Sequence, residues 1–377
     1  MKTIVISAVN LRKGGTLAIL KDCLKGLSEI ANEDDVRVVA LVHQKDLVKY
    51  KEIEYIEIPW AARSWAHRLW CEYVTMNTIS KHIGDIDIWL SLHDTTPRVQ
   101  ARHHAVYCHN SYPFYSWKCR HIWQNYRIVC FAIFSRWFYR INLYRNQFVI
   151  VQSQWFRKAF NQMTGFDVKR TIVFPPVMNN DENSFNIQNT TSKVHKSKFT
   201  FLYPAFPDVH KNMECLCRAT EILEREMRPE SFEVLITTDS NLNQYSRWLH
   251  KKWGHVRAIN FCGFVCKERL DQIYANTDCL VFPSQVETWG LPITEFAVTG
   301  RPMILADRPY AHETAAGSCC TAFFDPDDPV MLAQLMRNII EGRKEFFQPI
   351  AKLEIESPLV NNWEQLISKL STSSNVI

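Results

Sequence analysis

Residues 282–307, FPSQVETWGLPITEFAVTGRPMILAD, close one short apolar run, cross a polar loop and a helix-length stretch, and enter another apolar run. CLVFPS (279–284) and PMILAD (302–307) have the length and content of buried strands. Pro292 suits the first turn of a helix, where its missing N–H is not needed. Glu287 lies in the loop and Glu295 near the helix start, eight positions apart. A helix dipole explains one acid near the start of a helix, but not a second acid placed beside an aromatic and a glycine. Each carboxylate accepts hydrogen bonds on both oxygens, which suits vicinal hydroxyls. The amides around Gly290 and Leu291 suit a phosphate.

The same alternation runs along the chain in both directions. TIVISAV (3–9), VRVVALV (36–42), IDIWLSL (86–92), HAVYC (104–108), FVIVQS (148–153) and TIVFP (171–175) read as strands, with helices at 17–30 and 154–163. A second series follows: FTFLYPA (199–205), FEVLITT (232–238), VRAINFCG (256–263), the two runs above, and TAFFDP (321–326). Helices fit at 212–227, 267–275, 292–299 and 329–341. Such alternation predicts parallel sheets covered by helices on both faces. The polar stretch 179–197 reads as a linker or surface loop. The expectation is therefore an α/β protein of two doubly wound, Rossmann-like domains facing a cleft. The first spans 1–178, the second 198–357, and a C-terminal helix at about 361–372 packs back onto the first.

Composition excludes disorder: of 377 residues, 46% are hydrophobic and 22% charged. The net charge of +5 conceals an uneven spread, because residues 98–170 hold 12 Lys/Arg and one acid, Asp167. The twelve cysteines form no CxxC pair and no zinc-ligand spacing, and read as buried, reduced thiols. The apolar run at the N-terminus ends at Val9 before Arg12 and Lys13, unlike a signal peptide, and no run reaches membrane-spanning length. A cytoplasmic chain, peripheral on the inner face of the cell membrane, is expected.

Two further junctions attract chemistry. Gly14 and Gly15 open a helix after the first strand, as a tight turn or as an approach for an anion. In YPAFPDVHKNMECLCRA (203–219), Lys211 sits at a helix start, where a cation opposes the dipole. It is either a solvated lysine or one that shares a diphosphate with the helix N-terminus.

Together these residues carry a resemblance. Glu287, seven residues and Glu295 resemble the donor motif of retaining nucleotide-sugar glycosyltransferases of family 4, which have the GT-B fold. YCHN (107–110), VIVQS (149–153), HKN (210–212) and the run from Phe261 to Ser284 extend the similarity over nearly the whole chain. The resemblance implies that Glu295 binds the ribose and Glu287 the transferred sugar, while Lys211 neutralises the diphosphate. It also implies that His109 faces the donor sugar, and that Gly14, Gly15, His210, Gly263, Thr288, Trp289, Gly290 and Leu291 contribute to donor binding. The family commonly carries an arginine a few residues before the lysine; here Ala205, Phe206 and Pro207 stand there, so neutralisation either falls more heavily on Lys211 or is shared with His210.

The implied reaction moves a hexosyl group from a UDP- or GDP-type sugar to a glycan or lipid-linked saccharide, as in surface polysaccharide (O-antigen or capsule type) assembly. Retention follows from front-face attack assisted by the leaving phosphate, without a metal or a cofactor. Asp85-Ile86-Asp87 matches a DxD triplet but begins a strand, which favours a turn-and-cap role. Residues 113–146 combine basic and aromatic side chains at helical spacing, either snorkelling on a domain surface or lying on an anionic membrane. No nucleic-acid motif accompanies them, so no nucleic acid is expected. The alternatives are another GT-B-like enzyme, an epimerase or a phosphorylase, and a non-catalytic nucleic-acid or membrane binding module.

Overall fold

The computed structural model describes residues 1–33, 35–176 and 198–372. The expected linker, 179–197, lies outside the described residues. The chain divides into two compact units. Unit 1 takes in Met1–Asn110, Phe134–Met178 and Ile355–Ile377, and unit 2 takes in Ser111–Ile133 and Asn179–Glu354.

Unit 1 is built on strands β1 (Lys2–Ala8), β2 (Val36–Val42), β3 (Ile53–Glu57), β4 (Ile88–Ser91), β5 (His103–Cys108), β6 (Phe148–Val151) and β7 (Thr171–Val173). They pair in the order β3-β2-β1-β4-β5-β6-β7, every neighbour parallel. β1 and β4 are buried along nearly their whole length because helices cover both faces. β3 escapes a reading by apolar runs, since its Ile and Tyr alternate with Glu54 and Glu57 at the sheet edge, half in water.

The C-terminal helix Trp363–Ser371 belongs to this unit. Trp363, Leu366, Ile367 and Leu370 join a core with β1 and with Leu20, Leu24 and Leu27 of the helix Gly14–Glu33. Trp363 Nε1 donates to Asp22 Oδ2 at 2.8 Å. Gly26 is what lets the two helices meet there, because a Cβ would stand 2.8 Å from Trp363 Cβ.

Unit 2 carries β8 (Phe199–Tyr203), β9 (Phe232–Ile236), β10 (Ile259–Phe261), β11 (Cys279–Phe282), β12 (Met303–Ala306) and β13 (Thr321–Phe324). Their order is β10-β9-β8-β11-β12-β13, again all parallel. Both units are thus Rossmann-like. In each the strand order reverses once, between β1 and β4 and between β8 and β11. The edge beside such a reversal is where open α/β sheets bind ligands.

Three readings of the sequence change. Residues 111–133, expected in the first domain, group with unit 2. The cause is specific contact: Lys118 Nζ pairs with Asp327 at 2.6 Å, Arg120 pairs with Glu214, and Tyr112 packs on His210 with ring centroids 4.9 Å apart. The basic aromatic stretch is not one helix either; Cys119–Phe138 is broken at Asn125 (φ −160°, ψ 81°). Thirdly, all twelve cysteines are free but only six are buried, while Cys119, Cys130, Cys262, Cys266 and Cys319 are exposed.

Candidate functional site

β8 and β11 are neighbours at the reversal in unit 2, so the loops that follow them leave the same sheet edge side by side. Their apolar runs, FTFLYPA and CLVFPS, stop being strand at Tyr203 and Phe282, and the remaining residues build the loops. The loops are bonded to each other. The Tyr203 hydroxyl donates to Lys211 O at 2.7 Å and meets Ser284 Oγ at 2.8 Å. Gln285 N donates to His210 O at 2.8 Å, and Asn212 Nδ2 to Pro283 O at 3.2 Å and Pro326 O at 2.8 Å. The Tyr310 hydroxyl donates to Ser284 O at 2.8 Å. Burial, reinforced by the charge of Glu287, holds the Tyr203 and Tyr310 phenols well above their ordinary pKa, so both remain proton donors.

This lattice brings Lys211 and Glu287 together, 76 positions apart in sequence, with Nζ 2.5 Å from Oε1. Their side chains keep 19% and 13% of their surface. Lys211 ends a short helical turn, Val209–Lys211, and Asn212 adopts a left-handed φ of 53° before the helix Met213–Glu226 begins. The pair can offer a cation and a carboxylate to a ligand on the open side. His210 adds no charge: it is buried, and burial holds its pKa well below the ordinary histidine value. Its ring lies against Tyr112 and Tyr115 instead.

Glu287 leads into Thr288, Trp289 and Gly290. Gly290 has φ 100°, a conformation that calls for glycine, and Tyr310 would meet any Cβ there at 3.6 Å. Trp289 is fixed by Thr294 at 2.9 Å through its Nε1 and by Thr314 through its carbonyl. Leu291 opens the helix Leu291–Ala297, on which Glu295 lies. Glu295 Oε1 meets Lys267 Nζ at 2.8 Å, and Oε2 accepts the Tyr274 hydroxyl at 2.8 Å. Burial opposes the Lys267 charge, but Glu295 and Asp271 outweigh it and raise its pKa. Lys267 was missed from sequence although the signal existed: like Lys211, it is a cation at the start of a helix. Gly263 (φ 78°) follows β10, and its N–H bonds Thr238 O at 3.1 Å.

The remaining expected residues lie in unit 1. Gly14, with φ 55°, and Gly15 open the helix after β1, and nothing crowds a Cβ at either. His109 follows β5; its backbone N–H bonds Asp94 Oδ1 at 2.7 Å and its Nε2 meets Leu92 O at 2.9 Å, which makes Nε2 the protonated nitrogen. Unit 1 also holds a buried cluster that was not read from sequence. Glu72 receives Arg68 Nε at 2.8 Å and the Thr95 hydroxyl at 2.6 Å, and His93 Nδ1 lies 3.3 Å away. Burial pushes His93 down to about 4, so it stays neutral.

Residues 199–342 match the family model described as Glycosyl transferases group 1, a span containing Lys211, Glu287 and Glu295. This supports a glycosyltransferase. The fold agrees. Sucrose-phosphate synthase from Thermosynechococcus elongatus superposes with a TM-score of 0.64 at 13% identity, over 91% of this chain and 92% of that one. WaaG, a glycosyltransferase involved in lipopolysaccharide biosynthesis, gives 0.62 at 14% identity over 90% of each chain. Anabaena HepE in complex with UDP-glucose gives 0.58 at 15% identity over 92% of each chain. These likenesses establish the GT-B architecture of two Rossmann-like domains. No curated protein matches the chain.

Proposed function

We propose that the protein is a retaining, metal-independent glycosyltransferase that moves a hexosyl group from a nucleotide-diphosphate sugar to a glycan or lipid-linked saccharide. The observation that carries this reading is the Lys211–Glu287 pair at the strand-order reversal of the domain that matches the family. The hard step is expelling the nucleoside diphosphate while the anomeric carbon gains positive charge. Lys211 stabilises the departing charge together with the amides around Gly290, and Glu287 holds the sugar beside the reaction centre. Front-face attack keeps the anomeric configuration, with the leaving phosphate taking the acceptor proton. Glu295 binds the ribose hydroxyls; Lys267 and Tyr274 each take one bond on its carboxylate and leave its other lone pairs for the diol. His109, Gly14 and Gly15 serve the donor from unit 1, a role that rests on the family resemblance. HepE is described with UDP-glucose, which makes a UDP-sugar the first donor to try.

The acceptor class and a place in surface polysaccharide assembly belong to the same proposal, and so does contact with an anionic membrane. Among the described residues no helix is long and apolar enough to cross a bilayer. In unit 2, Trp123 is 85% exposed and Tyr126, Arg120 and Arg127 are exposed; in unit 1, Trp137, Tyr144, Arg136 and Arg140 are exposed. Aromatic rings with basic neighbours favour the headgroup region of an anionic bilayer. Transfer or hydrolysis assays with UDP- and GDP-sugars, with the product anomer read by NMR, test the reaction. Inversion at the anomeric carbon removes the retaining mechanism, and no turnover of any nucleotide sugar removes the enzyme reading.

A further inference from the structure

Asp208 stands three residues before Lys211 in the loop after β8, and nothing in the proposed reaction uses it. Its backbone builds the turn: its N–H donates to Phe206 O at 3.0 Å, and its carbonyl accepts Lys211 N–H at 2.9 Å. Although it occupies the N-cap position of that turn, its side chain caps nothing. Among the described residues no hydrogen bond or ion pair engages its half-buried carboxylate. The charged groups that face it are Lys211 from its own loop and Glu287 from the loop after β11. Tyr112 and Tyr115, from the segment packed over His210, face it with phenols that burial keeps neutral. His210 is neutral as well.

The charges decide what this acid can do. With Asp208 ionised, the cluster of Lys211, Glu287 and Asp208 sums to −1. A diphosphate diester brings about two more negative charges to Lys211, whose own charge Glu287 already offsets. With Asp208 protonated the cluster is neutral, and the carboxyl presents an O–H donor instead of a repelling oxygen. We propose that Asp208 takes up a proton as a nucleotide sugar binds and donates its O–H to a diphosphate oxygen, supplementing Lys211. The inference rests on the donor-site reading of unit 2. It balances simply: one proton passes from solvent to the Asp208 carboxylate, and no covalent bond to the ligand forms.

The free protein is poised for this step. Burial pushes Asp208 up to about 6; Lys211 pulls the other way and Glu287 adds to the rise. A bound dianion raises the value further. Because the protonated form binds, affinity strengthens as pH falls, by up to about tenfold per pH unit for one linked proton. The dependence flattens below about pH 6, where the free protein already holds the proton.

Calorimetric titration of the full chain with UDP-glucose and with GDP-mannose tests this, since the diphosphate diester of neither gains a proton between about pH 6 and 8. Titrations at about pH 7 in buffers of different ionisation enthalpy should show uptake approaching one proton per donor bound. The affinity should also strengthen towards pH 6. Asp208→Asn, a neutral donor of the same shape, should abolish the uptake and the pH dependence, and should bind at about pH 7.5 at least as tightly as the wild type. Binding to the wild type without proton uptake overturns the inference and leaves the donor site standing, and so does an Asn variant that keeps the full pH dependence. If neither sugar binds at any pH, the donor-site reading falls and this inference with it. If the Asn variant fails to fold, the wild-type proton count decides alone.

Discussion

The edges beside the two strand-order reversals both carry a carboxylate and a cation, in opposite states. In unit 1, Glu72 is fully buried and each of its oxygens has a partner, Arg68 on one and Thr95 on the other, with His93 buried alongside. In unit 2, Glu287 and Lys211 face each other with part of both side chains open to water. A closed charge cluster stabilises its loop, and removing one member leaves an unpaired charge in a dry site. An open pair costs less to separate and remains free to exchange partners with a ligand. One reversal thus holds a closed charge cluster and the other a partly open pair.

Substitution at each edge separates these roles, and the largest effect belongs to the closed one. Glu72→Ala should cost about 3–5 kcal/mol of stability, measured by denaturant unfolding. The same cluster predicts sensitivity to acid. His93 has a folded value of about 4, depressed below the ordinary histidine value, so the unfolded chain takes up the proton first. Stability present at neutral pH is therefore lost as pH falls from about 6.5 towards 4, by up to about 3 kcal/mol. An NMR titration should show the His93 ring still mostly neutral at about pH 5 and titrating only near 4.

At the open edge the outcome should reverse. Lys211→Ala and Glu287→Ala should each lower transfer roughly a hundred- to thousandfold while moving the unfolding midpoint little. A large loss of stability in either variant would erase the distinction between the edges. Gly26→Val probes the packing of the helices Gly14–Glu33 and Trp363–Ser371, forcing a side chain into Trp363; about 1–3 kcal/mol of destabilisation is expected in thermal unfolding. The smallest effect is Tyr274→Phe. It removes one hydrogen bond from Glu295, and nucleotide affinity should fall by about 0.5–1.5 kcal/mol in a titration.

Most of the parallel-sheet architecture was legible because buried strands must be apolar along their whole length, as in TIVISAV, VRVVALV and CLVFPS. The reading failed where burial is partial. β3 alternates Ile with Glu at an edge, and the helix Gln244–Trp253 carries Arg247, Lys251 and Lys252 among its aromatics. At the site, Glu287, Glu295 and Lys211 announced themselves as charges at strand–helix junctions. What stayed hidden was partnership. No spacing shows that residues 211 and 287 meet, or that Tyr112 and Arg120 tie residues 111–133 to unit 2. Asp208 was passed over because one acid in a loop is ordinary until the groups around it are known. Glu72 and His93 were hidden for the same reason, 21 positions apart on a helical stretch and a loop.

Lys211, the cation of the open pair at the β8–β11 edge, is proposed to hold the diphosphate of a sugar donor, with Glu287 on the sugar. Calorimetric titration of the wild type and of Lys211→Ala with UDP- and GDP-sugars tests it most directly. The account predicts saturable binding of at least one nucleotide sugar to the wild type, weakened about tenfold or more in a variant that remains folded. No binding to the wild type, or equal affinity in Lys211→Ala, would contradict it.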